Sequence, residues 1–317
     1  MPTTDTSQLA AAVLAGEPRA VARAISIVEE GGTDGAALLG ELFPHAGRAL
    51  VLGVTGPPGS GKSTLVERLT ARYRAAGRTV GIVAVDPSSP FTGGAILGDR
   101  IRMQAHALDD GVFIRSMATR GHLGGLAVAT APAIDVLAAS GKDVVLVETV
   151  GVGQDEVEVV ETADVCLLVL VPGLGDEVQA LKAGVMEIAD VFVVNKADRE
   201  GVDRVVAEIE SMLSLGGRED APPKIVTTVA TRDQGIDALV AAVEEFRGRA
   251  DSAGVLARRG RTRLRRQFEE ALGRRVMDRV RARALPPAEL ERTVDRLQAR
   301  EIDPASAVEE VVRRAGL

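Results

Sequence analysis

The folds open to this chain are limited above all by its glycine-rich segment, Gly56-Pro-Pro-Gly-Ser-Gly-Lys-Ser63. It fits the pattern G-x-x-x-x-G-K-[S/T], and it lies between an apolar run at 51–55 and a helical pattern at 63–76. Glycines allow such a loop to aim its backbone N–H groups at phosphates, and the following helix adds a favourable dipole. We therefore predict a phosphate-binding loop in which Lys62 contacts the β- and γ-phosphates of a nucleotide and Ser63 binds Mg²⁺. The predicted nucleotide contacts along this segment are Gly56, Pro57, Pro58, Gly59, Ser60, Gly61, Lys62, Ser63 and Thr64.

Short apolar runs rich in valine alternate with helix-length segments through the middle of the chain. Hydrophobic residues make up 46% of the sequence and aromatic residues only 2%, so Val, Leu, Ile and Ala must fill the core. Runs of this kind are typical of a mainly parallel sheet that helices cover on both faces. We therefore predict an α/β fold, a three-layer αβα domain around that sheet. The predicted strands are 49–55, 79–85, 111–114, 143–147, 165–171, 191–194 and 225–229.

Both ends of the chain have helical patterns instead of strands. In the C-terminal part, apolar residues four apart form one stripe along a predicted helix: Leu264, Phe268, Leu272, Val276 and Val280. Pro286-Pro287 ends that helix, and Asp303-Pro304 is typical of the start of another. We predict an N-terminal helical segment at 1–45, a nucleotide-binding domain at 46–250 and a C-terminal helical region at 251–317.

A tetrapeptide that can distinguish guanine from adenine follows the predicted strand at 191–194. Asn195-Lys-Ala-Asp198 matches the pattern N-K-x-D. The Asp198 carboxylate can accept hydrogen bonds from N1–H and the 2-amino group of guanine, and adenine offers neither donor there. Four residues alone are weak evidence, but at a strand end downstream of a phosphate loop they favour GTP over ATP. The predicted base-side contacts, including backbone that packs against the base, are Asn195, Lys196, Asp198, Val229 and Ala230.

Acidic residues at the ends of two other predicted strands are candidates for the magnesium side of the site. Glu148 ends one strand and precedes Gly151, whose N–H can sense the γ-phosphate. Asp86 ends another strand and begins a segment with prolines and glycines that reaches Asp99. Ligands bind at the carboxyl ends of strands in such sheets. The predicted metal ligands are Ser63, Asp86, Asp99 and Glu148, and the predicted catalytic residues are Lys62, Asp86, Asp99, Glu148 and Gly151. A structural strand-end acid and a solvated surface loop are the alternatives at these acidic positions.

Composition argues against several classes of partner. The net charge is −7 and the estimated pI is about 5.3, so the chain has no overall attraction to phosphate backbones or anionic lipid. Residues 258–283 hold eleven arginines against three acids, which we interpret as the solvated face of an amphipathic helix, with a nucleic-acid-binding patch as the alternative. No uncharged apolar run approaches the ~20 residues that span a bilayer. The single cysteine, Cys166, lies in an apolar run. One cysteine cannot form a disulfide within the chain, which fits a reducing compartment. We expect a cytoplasmic protein with no nucleic-acid or membrane partner.

With these motifs in place, the sequence resembles the ArgK/MeaB family, the methylmalonyl-CoA mutase-associated GTPases. The resemblance rests on five segments in the family's order: 56–63, 85–100, 148–154 (Glu-Thr-Val-Gly-Val-Gly-Gln), 172–182 and 195–198. One departure follows the predicted strand at 111–114. The family has a Ser/Pro-rich stretch there, whereas this chain has Arg115-Ser-Met-Ala-Thr-Arg-Gly-His122, so no role is carried over to that loop.

The resemblance implies a P-loop GTPase of the SIMIBI class that forms homodimers through its C-terminal helices. It also implies an adenosylcobalamin-dependent acyl-CoA mutase as partner, whose cofactor delivery the GTPase gates and which it protects from inactivation. Methylmalonyl-, isobutyryl- and ethylmalonyl-CoA mutases are all open as clients. In this resemblance Asp86, Asp99 and Glu148 surround the metal. Gln179 and Lys182 belong to a mobile loop that links the nucleotide state to the mutase.

The nearest alternative is a GTPase of nickel-enzyme maturation, or another SIMIBI-class GTPase that regulates a partner. Nickel carriers need thiolate or imidazole ligands, and the single cysteine and three scattered histidines show no ligand spacing. A small-molecule kinase would share the phosphate loop but would have no use for the tetrapeptide at 195–198. The sequence therefore favours GTP, GDP and Mg²⁺ as ligands, and hydrolysis of the β–γ phosphoanhydride as the reaction.

Overall fold

The computed structural model describes residues 5–86, 106, 108–118, 127–149, 162–173, 189–215 and 222–316. The chain divides into two compact units, Met1–Gly260 and Arg261–Leu317. Within the described ranges, no helix has both the length and the apolar character needed to cross a bilayer.

Seven strands form one sheet in the first unit. They are β1 (Leu50–Thr55), β2 (Val80–Asp86), β3 (Val112–Ala118), β4 (Val144–Glu148), β5 (Val165–Leu170), β6 (Val191–Asn195) and β7 (Lys224–Thr228). Their order in the sheet is β3-β2-β4-β1-β5-β6-β7, and every neighbouring pair is parallel. All residues of β1, β4, β5 and β6 are buried. The predicted parallel sheet with two covered faces is therefore confirmed.

Helices cover both faces of this sheet. The helices are α1 (Thr6–Leu14), α2 (Pro18–Glu30), α3 (Gly32–Leu42), α4 (Lys62–Ala75), α5 (Ala127–Ala139), α6 (Val202–Leu215) and α7 (Ile236–Ser252). One face packs against α1, α2, α3 and α5 and, over β5 and β6, against α6. The other face packs against α4 and α7. Neighbouring strand residues such as Val145 and Leu146 point to opposite faces, so these strands need an apolar residue at every position.

The carboxyl ends of the strands bring the predicted motifs to one edge of the sheet. Val54 near the end of β1 lies in register with Glu148 at the end of β4. Asn195 at the end of β6 lies in register with Thr228 at the end of β7. Since the glycine-rich loop follows β1 directly, the phosphate and base motifs share this edge.

Strand β3 is longer than the sequence pattern indicates. It runs to Ala118, so the prediction of a strand that ends at 114 followed by a loop is wrong for these four residues. The guanidinium of Arg115 donates to Glu29 Oε2 at 2.6 Å and to Ser26 Oγ at 3.1 Å, both on α2. A polar side chain is tolerated here because β3 is an edge strand and Arg115 finds partners on α2. Residues 119–122 lie outside the described ranges.

The second unit is helical. Its helices are α8 (Val255–Ala284), which begins in the first unit, α9 (Pro287–Gln298) and α10 (Pro304–Ala315). The predicted helix break at Pro286-Pro287 is observed, since α8 ends at Ala284 and α9 begins at Pro287, with Pro286 as its N-cap. Asp303 caps α10, since its Oδ1 accepts hydrogen bonds from the backbone N–H groups of Ala305 at 2.9 Å and Ser306 at 3.0 Å.

The second unit buries few apolar residues. Its packed core consists of Val280, Ala284, Val311 and Ala315, with Leu285 against it. Of the stripe predicted along α8, only Val280 is buried, whereas the other four side chains are exposed. A contiguous apolar stripe in contact with water is typical of an interaction surface.

Candidate nucleotide site

The glycine-rich loop makes close contacts that only glycine permits. Gly56 has a φ of 137° and Gly61 a φ of 94°, both in the region that favours glycine. A Cβ on Gly56 would lie 2.1 Å from the carbonyl oxygen of Val169, and one on Gly61 would lie 2.4 Å from Nδ2 of Asn195. The backbone of β5 and the side chain at the end of β6 therefore touch the loop, and a larger residue would push them away.

Lys62 is buried, and its ammonium lies against the backbone of the loop. Nζ donates to the carbonyl oxygens of Gly56 at 2.8 Å and Pro57 at 3.0 Å. Lys62 is also the first residue of α4, so the cation and the positive end of the helix dipole lie at the same loop. The backbone, the helix and the ammonium together favour a phosphate at this place.

Ser63 and Glu148 meet at the start of α4. Ser63 Oγ donates to Glu148 Oε1 at 2.6 Å, and Glu148 is buried at the end of β4. Beside it, the buried Thr149 Oγ1 donates to Thr55 Oγ1 at 3.2 Å, which ties the end of β4 to the end of β1. A hydroxyl and a carboxylate are the hard oxygen donors that Mg²⁺ prefers, so this pair fits the predicted metal.

Three residues predicted at the γ-phosphate and the metal are not fully described: Asp86, Asp99 and Gly151. The backbone of β2 ends at Asp86, at the same sheet edge as Glu148, but the side chain of Asp86 is not described. Asp99 and Gly151 lie outside the described residues, as do the coupling residues Gln179 and Lys182. The roles of these five residues stay predictions.

Asn195 joins the phosphate loop to the chain that follows β7. Its Nδ2 donates to the carbonyl oxygen of Ser60 at 2.8 Å. Its Oδ1 accepts hydrogen bonds from Thr228 Oγ1 at 3.1 Å and from the backbone N–H of Ala230 at 3.2 Å. Because Asn195 is buried and uses both ends of its amide in this way, it links two loops of the site.

Lys196 adds a second link to the phosphate loop. It has a φ of 58°, which is uncommon for a residue other than glycine. This backbone conformation accompanies a side chain that turns back toward the loop, where Nζ donates to the carbonyl oxygen of Gly59 at 2.6 Å. Asn195 and Lys196 thus contact the loop itself, in addition to being close to the predicted base position.

Asp198 forms an ion pair that the sequence analysis did not predict. Its Oδ2 lies 3.3 Å from an Nη nitrogen of Arg232. Arg232 ends the 3₁₀ turn Ala230–Arg232. Two predicted base-side residues lie at the start of this turn and are buried: Val229, its N-cap, and Ala230. Asp198, Val229 and Ala230 are therefore brought to one side of the phosphate loop.

Two arginines of α4 hold this turn in place. Arg68 Nε donates to the carbonyl oxygen of Ala230 at 3.1 Å. Arg72 pairs with Asp233 at 2.8 Å and with Asp237 at 2.7 Å. The helix that begins at the phosphate loop thus also fixes the turn on the predicted base side.

The far end of α4 is anchored by a two-bond ion pair. Arg74 donates to both carboxylate oxygens of Asp109 at 2.8 Å, and the N–H of Gly111 donates to Asp109 Oδ1 at 2.8 Å. The hydrogen bonds from Arg74 and then from Gly111 lower the pKa of Asp109 to about 2. A Cβ on Gly111 would lie 2.1 Å from Arg74 Cζ, so glycine makes room for the guanidinium.

Sequence reasoning missed the arginines Arg68, Arg72 and Arg232. The two on α4 are four residues apart and resemble the solvated face of a helix, so their residue types carry no signal. Arg232 carries a weak one, because it comes two residues after the predicted base contact Ala230.

A parallel sheet covered by helices on both faces, with a phosphate loop directly after β1, is the arrangement of P-loop nucleotide hydrolases. Here an N-K-x-D element at the end of β6, two strands away from β1 in the sheet, is hydrogen-bonded to that loop, which defines the class as P-loop GTPases. A family model described as "Methylmalonyl Co-A mutase-associated GTPase MeaB" matches residues 21–285. This chain belongs to that family.

Individual relatives support the same family assignment. A protein of Pyrococcus horikoshii that is named as a GTPase is 49% identical over 271 residues, which cover 84% of this chain and 86% of the relative. GTPase ArgK of Escherichia coli is 38% identical over 268 residues, which cover 80% of this chain and 81% of ArgK. The crystal structure of an LAO/AO transport system kinase matches with a TM-score of 0.72 at 25% identity, covering 99% of this chain and 98% of the other. The predicted family, three-layer fold and GTP hydrolase activity are thus confirmed.

Proposed function

We propose that this GTPase regulates an adenosylcobalamin-dependent acyl-CoA mutase, with methylmalonyl-CoA mutase as the first client to test. GTP binding and hydrolysis time the delivery of the cofactor and protect the mutase from inactivation. The observation that carries the proposal is the match of residues 21–285 to a family described by its association with that mutase. In this proposal the protein acts in the cytoplasm as a homodimer, without a nucleic-acid or membrane partner.

On the phosphate side, Lys62 and the backbone N–H groups of 56–61 bind the β- and γ-phosphates. Water attacks the γ-phosphorus, the bond from that phosphorus to the β–γ bridging oxygen breaks, and GDP and phosphate are the products. Such transfer needs little covalent help, so the residues act by positioning and charge neutralisation, with the N–H of Gly151 at the γ-phosphate. The buried ammonium of Lys62 against the loop supports this assignment.

The proposed metal ligands are Ser63, Asp86, Asp99 and Glu148. Bound Mg²⁺ neutralises charge on the phosphates. Glu148 orients the Ser63 hydroxyl by accepting its hydrogen bond at 2.6 Å, which leaves the lone pairs of the serine oxygen for the metal. This contact supports the assignment of both residues.

On the base side, Asp198 accepts the N1–H and 2-amino hydrogen bonds of guanine, while the backbone of Val229 and Ala230 packs against the base. Asn195 and Lys196 hold the phosphate loop and the base-side turn together. Their hydrogen bonds to Ser60 and Gly59 support this division of roles, since a nucleotide must contact both loops at once.

The exposed stripe on α8 is the proposed homodimer contact. Leu264, Phe268 and Leu272 present apolar surface that pairing with a second copy would bury. Gln179 and Lys182, which follow β5 in the sequence, are proposed to carry the nucleotide state to the mutase.

The test is GTP turnover of the purified protein with and without each candidate mutase, with complex formation measured on the same samples. Three nucleotide conditions are compared: GDP, a non-hydrolysable GTP analogue, and no nucleotide. An acyl-CoA enzyme that does not use cobalamin is the control partner. We expect one mutase to form a nucleotide-dependent complex and to change GTP turnover. GTP turnover that no mutase alters, without a complex at micromolar concentration, would remove the mutase from the proposal and leave the GTPase.

A further inference from the structure

Arg232 contacts the carboxylate that is proposed to recognise guanine, yet the proposed function gives it no role. One Nη nitrogen lies 3.3 Å from Oδ2 of Asp198. The side chains are 62% exposed for Arg232 and 34% exposed for Asp198. The pair is therefore accessible to solvent, and the arginine can leave the carboxylate without breaking a packed core.

The guanidinium of arginine and the donor edge of guanine have the same chemistry. N1–H and the 2-amino group belong to a guanidine unit within the base, and they offer a carboxylate two parallel N–H donors. Arginine offers a carboxylate the same kind of planar fork. We propose that Arg232 stands in for guanine at Asp198 in the nucleotide-free protein and leaves the carboxylate when a guanine nucleotide binds. This inference rests on the proposed role of Asp198 in guanine recognition.

The backbone of the turn that carries Arg232 is held by contacts on both sides of this residue, whereas the Arg232 side chain is largely exposed. Arg68 on α4 holds the carbonyl oxygen of Ala230, two residues before Arg232. Arg72 holds the carboxylate of Asp233, the next residue, at 2.8 Å. Asp233 has a φ of 59°, a left-handed conformation that turns the chain directly after Arg232. The backbone of Arg232 thus has a fixed place near Asp198, and only the rotation of its side chain decides whether the carboxylate is occupied.

Competition for one carboxylate fixes the direction of the effect. The fraction of the protein in which Arg232 has left Asp198 is the fraction ready to bind the base, and the apparent association rate falls in proportion to it. Water and salt screen an exposed ion pair, so the paired state is only modestly more populated than the state in which Arg232 has left Asp198. Removing the guanidinium should therefore speed GDP association and tighten GDP binding by about two- to fivefold, with release unchanged.

The experiment measures association and dissociation of fluorescent GDP by stopped flow for Arg232→Ala and Arg232→Gln. Arg232→Lys keeps a charge opposite Asp198 but not the planar fork, so its association rate should lie between those of the wild type and Arg232→Ala. Arg204→Ala is the control, since Arg204 also forms an exposed pair, with Glu208 on α6 outside the site. Raising the salt concentration should bring the wild-type rate toward that of Arg232→Ala, because salt weakens the pair that the variant lacks.

Faster association of GDP in both neutral variants, with unchanged dissociation, supports the inference. An unchanged or slower association overturns it, and a slower one would mean that Arg232 assists binding. Asp198→Asn, tested with GDP and xanthosine diphosphate, distinguishes the guanine role of Asp198 from the competing role of Arg232. A switch toward xanthine in Asp198→Asn without an effect of Arg232→Ala removes only Arg232. The absence of that switch removes the guanine role of Asp198 and the inference with it.

Discussion

Arg259 holds Asp190 in a bidentate ion pair at the start of β6, with both nitrogen–oxygen distances at 2.7 Å. Asp190 is buried and also accepts a hydrogen bond from the backbone N–H of Cys166 in β5 at 2.9 Å. Arg259 donates in addition to the carbonyl oxygen of Asp164 at 2.9 Å. The first residues of α8 are therefore tied to the amino ends of β5 and β6, at the edge opposite the nucleotide site.

Arg259→Ala should lower the free energy of unfolding by about 2–3 kcal/mol, because it leaves a buried carboxylate without its cation. Urea unfolding measures the change. Arg265→Ala is the control, since the pair of Arg265 with Glu269 on the same helix is exposed and screened by water, so its loss should change the free energy of unfolding far less. Equal effects of the two variants would contradict the importance given to Asp190.

Lys62→Ala should abolish GTP hydrolysis while leaving the protein folded, because it removes the cation that the structure places at the phosphate loop. We expect a loss of at least about a hundredfold in turnover, the scale of removing one charge-stabilising group from a transition state. Phosphate release measures turnover, and circular dichroism checks the fold. Lys224→Ala is the control, because that lysine pairs with Glu245 outside the site. Unchanged turnover in Lys62→Ala would contradict the assignment.

Asn195→Ala should weaken both GDP affinity and stability, since it breaks three hydrogen bonds and leaves their buried partners unsatisfied. We expect a loss of about 2–4 kcal/mol in the free energy of unfolding. Thr228→Val removes only one of the three bonds and should cost about 1 kcal/mol. Asn195 is the only asparagine in the sequence, so no second asparagine can be the control, and Thr228→Val is the milder comparison. Calorimetric GDP binding and urea unfolding test both variants, and equal losses would contradict a bridging role.

Asp109 should make the protein lose stability at acid pH. Its pKa is held at about 2 in the folded state, below the ordinary value of 3.8, chiefly by the hydrogen bonds from Arg74. A carboxyl whose pKa is lowered by folding contributes stability above its unfolded pKa and loses it as the pH falls through the folded pKa. The difference in unfolding free energy between wild type and Asp109→Asn should thus be constant at pH 5–7 and shrink from about pH 4 toward pH 2. Urea titrations across this range measure it, and a difference that grows on acidification would contradict the prediction.

Phe268→Glu should convert the proposed homodimer to monomer, because it places a charge in the apolar stripe of α8, where Phe268 is 66% exposed. Sedimentation velocity measures the mass in solution. Phe43→Glu is the matched control, since Phe43 is 52% exposed and belongs to the first unit. A wild-type protein that sediments as a monomer would contradict the dimer, and dissociation by both substitutions would contradict the assignment of its contact.

Local patterns were enough to predict most of the fold. Each predicted strand corresponds to an observed one within a few residues, because β1, β4, β5 and β6 are fully buried and largely apolar, and the other strands also carry an apolar run. The exception is β3, an edge strand in which Arg115 interrupts the apolar pattern and finds its partners on α2. The order of strands did not follow from any local pattern, since parallel neighbours are joined by crossovers of many residues.

The class of site follows from local motifs alone. The glycine-rich loop and the tetrapeptide at 195–198 each carry their chemistry in a short run of residues, so both can be recognised without coordinates. How these motifs contact each other depends on the folded chain. Ser63 meets Glu148 across 85 positions and Asn195 meets Ser60 across 135, and Arg232 faces Asp198 because β6 and β7 end side by side. Contacts of this kind depend on the path of the whole chain through the sheet, so residue types and local spacing do not specify which side chains meet.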